Sequence, residues 1–212
     1  MCADFLNLKE TVQILNETPF DYIHFDIMDG SFSPDYLMGK KLIQDIRSVS
    51  SIRHEYHLMI KNPAGYIDHL PLLTGDQVIV HYELCDAIGE TLVLIKQKGA
   101  LAAVAIDAPT PPSVIEPYRV MLDMVLVMLI HAGSAGAPFW PTSLEKIPYL
   151  QQKIVEWKVP MVIGVDGSVN STTIPRLKEL GVTHFVGGST GLFLPNVPLA
   201  QAAIDFKNLV TS

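Results

Sequence analysis

Residues 124–130 place seven apolar side chains in a row, Met124-Val125-Leu126-Val127-Met128-Leu129-Ile130. The run is too short to span a bilayer. A strand with one wet face would alternate, so a run without a polar position predicts a strand covered on both sides, as in a parallel sheet flanked by helices. The rest of the chain agrees. Strand-like segments at 22–26, 51–59, 77–82, 101–106, 161–165 and 184–186 are separated by helical stripes. Leu8, Val12 and Leu15 form one stripe, Leu42, Ile43 and Ile46 another, and Leu144, Ile147, Leu150, Ile154 and Trp157 a third. Gly99 and Gly181 close helices at their carboxyl ends. Such alternation predicts parallel strands joined by crossover helices. The count is seven strands, which suits an open sheet and falls one short of the eight that close a barrel. No linker or composition break divides the chain, so a single domain over 1–212 is expected.

With 49% hydrophobic and 17% charged residues, the chain can bury one substantial core. Its formal charge of −7 argues against a nucleic-acid partner, which needs a basic face. A small phosphorylated substrate remains compatible, because a few backbone amides can hold it. No apolar run reaches membrane length, and Met1-Cys2-Ala3-Asp4 does not open a secretion signal. Cys2 and Cys85 lack metal or redox spacing and read as reduced thiols, which predicts a cytoplasmic protein.

In parallel α/β folds the loops at the carboxyl ends of strands build the active site. His24 and Asp26 lie two apart on one strand and therefore share a face. A satisfied core histidine followed by a turn-capping aspartate would give the same local sequence. The balance shifts because His57 and Asp166 also end strands, as do His81 and Glu83. Two histidines and two aspartates around one cation would leave positions open for substrate oxygens. Such an ion could stabilise the enediolate left when a proton leaves carbon beside a carbonyl, and two carboxylates on opposite faces could invert that carbon. Asp26 and Asp166, from distant strands, suit that pair. Gly167-Ser168 and Gly188-Ser189-Thr190 offer amides and hydroxyls ahead of helices for a phosphate, with Gly133-Ser134-Ala135-Gly136 on a third side; taken singly, each loop is equally well a tight turn. Met28, Met59 and Met128 near strand ends read as core filler or as a cap that keeps water from the reacting carbon.

These residues resemble the ribulose-phosphate 3-epimerases and their hexose relatives, the allulose-6-phosphate 3-epimerases. The matching words are His24-Phe25-Asp26-Ile27-Met28-Asp29-Gly30, His57-Leu58-Met59, Val80-His81-Tyr82-Glu83, Ser143-Leu144-Glu145-Lys146-Ile147 and Val165-Asp166-Gly167-Ser168-Val169-Asn170. They keep the family's order over almost the whole chain. The resemblance implies a (β/α)8 TIM barrel and one divalent ion, zinc first, with iron, manganese or cobalt also accepted. It makes His24, Asp26, His57 and Asp166 the ligands, Asp26 and Asp166 the acid/base pair, and Met28, Met59 and Met128 the shield. A homo-oligomer acting on a small phosphorylated ketose is expected. Ser168, where pentose epimerases carry a second glycine, and the ending Gly188-Ser189-Thr190-Gly191-Leu192-Phe193 lean towards the hexose branch.

Two departures stand out. Family members begin with a strand bearing a Pro-Ser pair, whereas Met1-Cys2-Ala3-Asp4-Phe5 aligns just after it. The barrel as written would lack its first strand, with two unpaired edges and an incomplete pocket; a misplaced start codon or a shortened chain is the expected reason, ahead of completion through a partner. The family's Phe- and Gln-bearing loop here reads His131-Ala132-Gly133-Ser134-Ala135-Gly136-Ala137. The sequence therefore predicts a metal-dependent 3-epimerase of a D-ketose phosphate, with a non-catalytic phosphosugar-binding barrel of the same descent as the rival.

Overall fold

The structure, a computed structural model, describes residues 1–212. Seven parallel strands run in chain order around one sheet: β1 (Tyr22–Asp29), then β3 (Arg53–Met59), β4 (Gln77–His81), β5 (Leu101–Ile106), β6 (Met124–Met128), β7 (Val162–Asp166) and β8 (His184–Phe185). An eighth, β2 (Tyr36–Leu37), pairs antiparallel with the end of β1 through Met28 and Asp29. The sequence predicts a loop there, since two residues carry no periodicity. Around the sheet lie α1 (Leu8–Asn16), α2 (Lys40–Arg47), α3 (Ala64–Ile67), α4 (Ile88–Gln97), α5 (Lys146–Trp157), α6 (Ile174–Glu179) and α7 (Leu199–Thr211). Pro112–Tyr118 form a 3-10 helix, with Pro117 inside it. No helix is long and apolar enough to cross a membrane.

The strands supply two cores. Val125 and Val127 of β6 face out to the helices, in one cluster with Phe25, Tyr56, Leu58, Val104 and Ile163. Met124, Leu126 and Met128 face in, with Met28, Met59, Ile79, Ala103 and Val186. That two-sided burial accounts for the unbroken apolar run. Each fully buried Leu, Ile or Met contributes roughly 1.5–3 kcal/mol relative to exposure.

The sheet curls until its ends meet through side chains. His184 of β8 reaches Glu55 of β3 at 3.0 Å, and its ring lies 5.9 Å from that of Tyr22 on β1. No backbone ladder joins β1 to β8, however. The barrel is open along this seam, and a cleft lined by Tyr22, Ile23, Phe185 and Phe206 follows it.

Candidate metal centre

Register lays out the site. Alternation turns His24, Asp26 and Met28 to the barrel interior. The ladder sets Asp26 beside His57 and Met28 beside Met59, and across the barrel Met128 beside Asp166. One atom from each of His24, Asp26, His57 and Asp166 falls within 4.8 Å of all the others. His24 Nε2 and His57 Nδ1 each lie 3.4 Å from Asp26 Oδ1 and 3.3 Å from one another, and His57 Nδ1 lies 3.6 Å from Asp166 Oδ2. Donors bonded at about 2.1 Å stand about 3.4 Å apart when tetrahedral and about 3.0 Å apart at octahedral right angles. The four spacings given, 3.3–3.6 Å, are within reach of one ion, and Asp166 lies within 4.8 Å of the other donors.

The proton assignment also calls for a cation. His24 Nδ1 is 2.6 Å from the carboxylate of Glu55, which can only accept, so Nδ1 carries the proton. His81 Nδ1 is likewise 3.2 Å from Glu83 Oε2, so neutral His81 offers a lone pair at Nε2. His57 Nε2, 2.8 Å away, must donate to it. When both rings are neutral, the remaining nitrogens, His24 Nε2 and His57 Nδ1, present lone pairs towards the two carboxylates. The Met1 ammonium, 3.3 Å from Asp26 Oδ2, offsets part of this charge, and a small divalent ion between the four donors would bind them all. The donor set fits such an ion.

Electrostatics separates the two carboxylates. Without an ion, burial works against the charge on Asp26, but hydrogen bonds donated by His24 and His57 prevail and hold its pKa well below the usual range; a bound ion would displace those protons. Burial raises that of Asp166, and the Asp26 charge adds to this against the pull of His24. For His24, burial opposes the charge, yet Asp26 and Glu55 beside it push the pKa well up.

One cavity opens over this cluster. It is lined by His24, Asp26, Met128 and Asp166 together with Gly133, Ser134, Ala135, Gly136, Gly167, Ser168, Gly188, Ser189 and Thr190. The loops are less directly coupled to helices than the sequence predicts. α6 begins only at Ile174 and α7 only at Leu199. Instead the Gly188 carbonyl accepts the amides of Gly191, Leu192 and Phe193 in one tight turn. At Gly167, φ is +94° and an added Cβ would sit 2.4 Å from Ile130 Cγ1. Ser168 holds φ +51°, a left-handed conformation that glycine adopts freely and serine does not. Met28, Met59 and Met128 are all buried in the interior cluster, with the Met28 sulfur against Gly133. His131 stands half-exposed at the rim, 2.8 Å from Asp107 Oδ2.

Three supporting residues escape a reading of the sequence: Glu55, Gln77 and His184. Glu55 lies two residues before His57, the same spacing that joins His24 to Asp26, and a buried acid in a strand was the available signal.

Residues 1–193 match the model described as the Ribulose-phosphate 3 epimerase family. The chain belongs to that family. The ribulose-phosphate 3-epimerase of Bacillus subtilis (strain 168) is 35% identical over 190 residues, covering 89% of this chain and 88% of that one. The Synechocystis ribulose-phosphate 3-epimerase is 30% identical over 206 residues, covering 96% and 90%. An epimerase is an isomerase, so the class of this family member follows. Among solved structures, KGPDC from Streptococcus mutans superposes with a TM-score of 0.73 at 13% identity, over 97% of this chain and 92% of the other. At that identity the likeness is one of fold, a (β/α)8-type barrel. Likeness to ribulose-phosphate 3-epimerases does not distinguish the allulose-6-phosphate branch.

Proposed function

We propose that this enzyme, a single domain over residues 1–212, inverts C3 of a D-ketose phosphate with one divalent ion held by His24, Asp26, His57 and Asp166. One observation carries the reading: two imidazoles and two carboxylates, from three separate strands, bring one donor atom each to within 4.8 Å of one another. The donor set of two imidazoles and two carboxylates favours zinc among the ions such a site takes. When bound, the ion would polarise the carbonyl and hydroxyl oxygens of the ketose and offset the charge of the enediolate.

Asp26, held ionised, takes the proton from C3. Asp166, with its raised pKa, delivers one to the other face, and in the reverse direction the roles exchange. β8 and the open seam separate β1 from β7, so the two acids approach the substrate from different sides. Met28, Met59 and Met128 keep water from the enediolate. Amides and hydroxyls of residues 133–136, 167–168 and 188–190 hold the phosphate. Ser168 and the loop from Gly188 lean towards the hexose substrate, allulose 6-phosphate/fructose 6-phosphate; the names of the relatives lean towards ribulose 5-phosphate/xylulose 5-phosphate. Free thiols at Cys2 and Cys85 suit a cytoplasmic setting.

Metal-replete enzyme incubated with each ketose phosphate in deuterium oxide should label C3 of both epimers, and the faster pair identifies the substrate. C3 left unlabelled in both pairs would overturn the reading and favour a non-catalytic binding barrel.

A further inference from the structure

Below the metal centre lies a second polar layer that the proposed chemistry does not use. Glu55 is 1% exposed, and its carboxylate gathers three donors from three strands. Oε1 accepts from His24 Nδ1 of β1 at 2.6 Å, and Oε2 accepts from Gln77 Nε2 of β4 at 2.9 Å. His184 Nε2 of β8 straddles the two oxygens at 3.2 and 3.0 Å. Around it the interior is apolar, with Ile79, Ala103, Met124 and Leu126. A buried carboxylate there is costly, and in many proteins an apolar residue of equal volume serves stability as well or better. Three convergent donors therefore point to a directional task.

That task is visible at His24. An imidazole can coordinate through either nitrogen and flip about its ring bond. A carboxylate at Nδ1 settles both choices, leaving Nε2 unprotonated and aimed at Asp26 and His57. β1 needs this more than other strands, because along the seam it has no ladder neighbour beyond the two residues of β2. We propose that Glu55, clamped by His184 and Gln77, is the positioning residue that presents His24 Nε2 to the metal, and that the same carboxylate ties β1 to β8 across the open seam. The inference rests on the metal centre proposed above.

Zinc affinity of the folded protein, measured by competition with a chromophoric chelator after stripping, separates positioning from mere stitching. In Glu55→Gln the side chain keeps its shape, but its NH2 group must face one of the donors, so zinc affinity should fall tenfold or more. The Co(II) ligand-field spectrum should shift with it. His184→Phe loosens the seam and leaves the Glu55–His24 contact, so it should lower the melting temperature and cost at least threefold less zinc affinity than Glu55→Gln. Glu55→Asp, which shortens the reach to Nδ1, serves if the glutamine variant fails to fold, with the same tenfold loss expected. The proposal is overturned if folded Glu55 variants bind zinc within threefold of wild type, or if His184→Phe loses affinity as severely as Glu55→Gln. A wild-type protein that binds no divalent ion would instead overturn the metal centre itself.

Discussion

His54 should make the fold acid-sensitive well above the pH at which carboxylates titrate. Its ring is fully buried on the helix-facing side of β3, 4.7 Å from the ring of Phe25. The charged and titratable groups around it are Arg47 of α2, Tyr56, and Asp76, whose Oδ1 accepts the His54 amide at 2.9 Å. Arg47 donates to the Tyr56 oxygen at 3.0 Å, which assigns the Tyr56 hydroxyl proton to His54 Nδ1 at 3.2 Å. The proton of neutral His54 then sits on Nε2, which has no partner. Burial, and after it the Arg47 charge, push the His54 pKa down to about 3 from 6.5. A depressed histidine pKa leaves stability intact above 6.5 and removes it as pH falls towards the folded value, because the unfolded chain binds the proton first. Linkage gives a loss of about 2 kcal/mol at pH 5 and about 3 kcal/mol at pH 4 relative to pH 8. At roughly 2–4 °C per kcal/mol for a chain of this size, the pH 5 loss is about 4–8 °C in Tm.

His24 and His184 have the opposite sign: their raised pKa values add stability below 6.5 that is lost as pH climbs. The wild-type curve sums all these groups, so the decisive comparison is with His54→Phe. Phenylalanine fills the same site, gives up the Tyr56 hydrogen bond and removes the orphaned N–H, so at pH 8 the two proteins should differ little. Thermal melts at pH 8 and pH 5 should show His54→Phe losing about 2 kcal/mol less than wild type. Parallel losses in the two proteins would refute the account of His54 as a neutral buried base.

Asp166→Asn should lower turnover by about two to four orders of magnitude while leaving Tm within a few degrees; retained C3 exchange would remove Asp166 from the mechanism. Stripping the metal should lower Tm by about 5–10 °C relative to protein with free zinc at a hundred times its Kd, since such binding is worth about 2.7 kcal/mol. An unchanged melt would mean that the four donors do not bind an ion. Gly167→Ala must place a side chain at φ +94° against Ile130, and denaturant unfolding should show a cost of about 3 kcal/mol. A neutral substitution would mean that the turn after Asp166 relaxes freely.

The sequence exposed whatever follows from period and punctuation. The double burial of β6 was legible because Met124 to Met128 offer no polar face, and His24 with Asp26 because strand alternation forces them onto one side. Seven parallel strands were countable for the same reason. β2 was not, since Tyr36 and Leu37 become a strand only through Met28 and Asp29 of β1. The supporting layer was hidden differently. Glu55, Gln77 and His184 are separated by up to 129 residues, and their shared purpose exists only once the sheet curls. Strand periodicity places His81 at a strand end, yet its role in fixing the proton on His57 depends on a 2.8 Å contact between strands. Serine by itself gives no hint of the left-handed turn at Ser168; the second glycine that pentose epimerases carry there is the available sign.

The placement of the centre beside the open seam has a physical consequence. β1 contributes two of the four donors, yet for most of its length only one edge is held by backbone hydrogen bonds. Two imidazoles and two carboxylates converge there, a repulsive arrangement once the imidazoles are neutral, beside a strand edge with little backbone pairing. Two devices restrain it from opposite sides. Below, Glu55 holds His24 and His184 together; above, a divalent ion would convert four mutually repelling acceptors into four bonds to one charge. Metal binding and closure of β1 against β8 should therefore be coupled, each strengthening the other by the same free energy. Amide exchange along β1 should slow on adding zinc more than exchange in β4 or β5, which are paired on both edges; uniform protection of all three strands would show that the ion stabilises the barrel without tightening its seam.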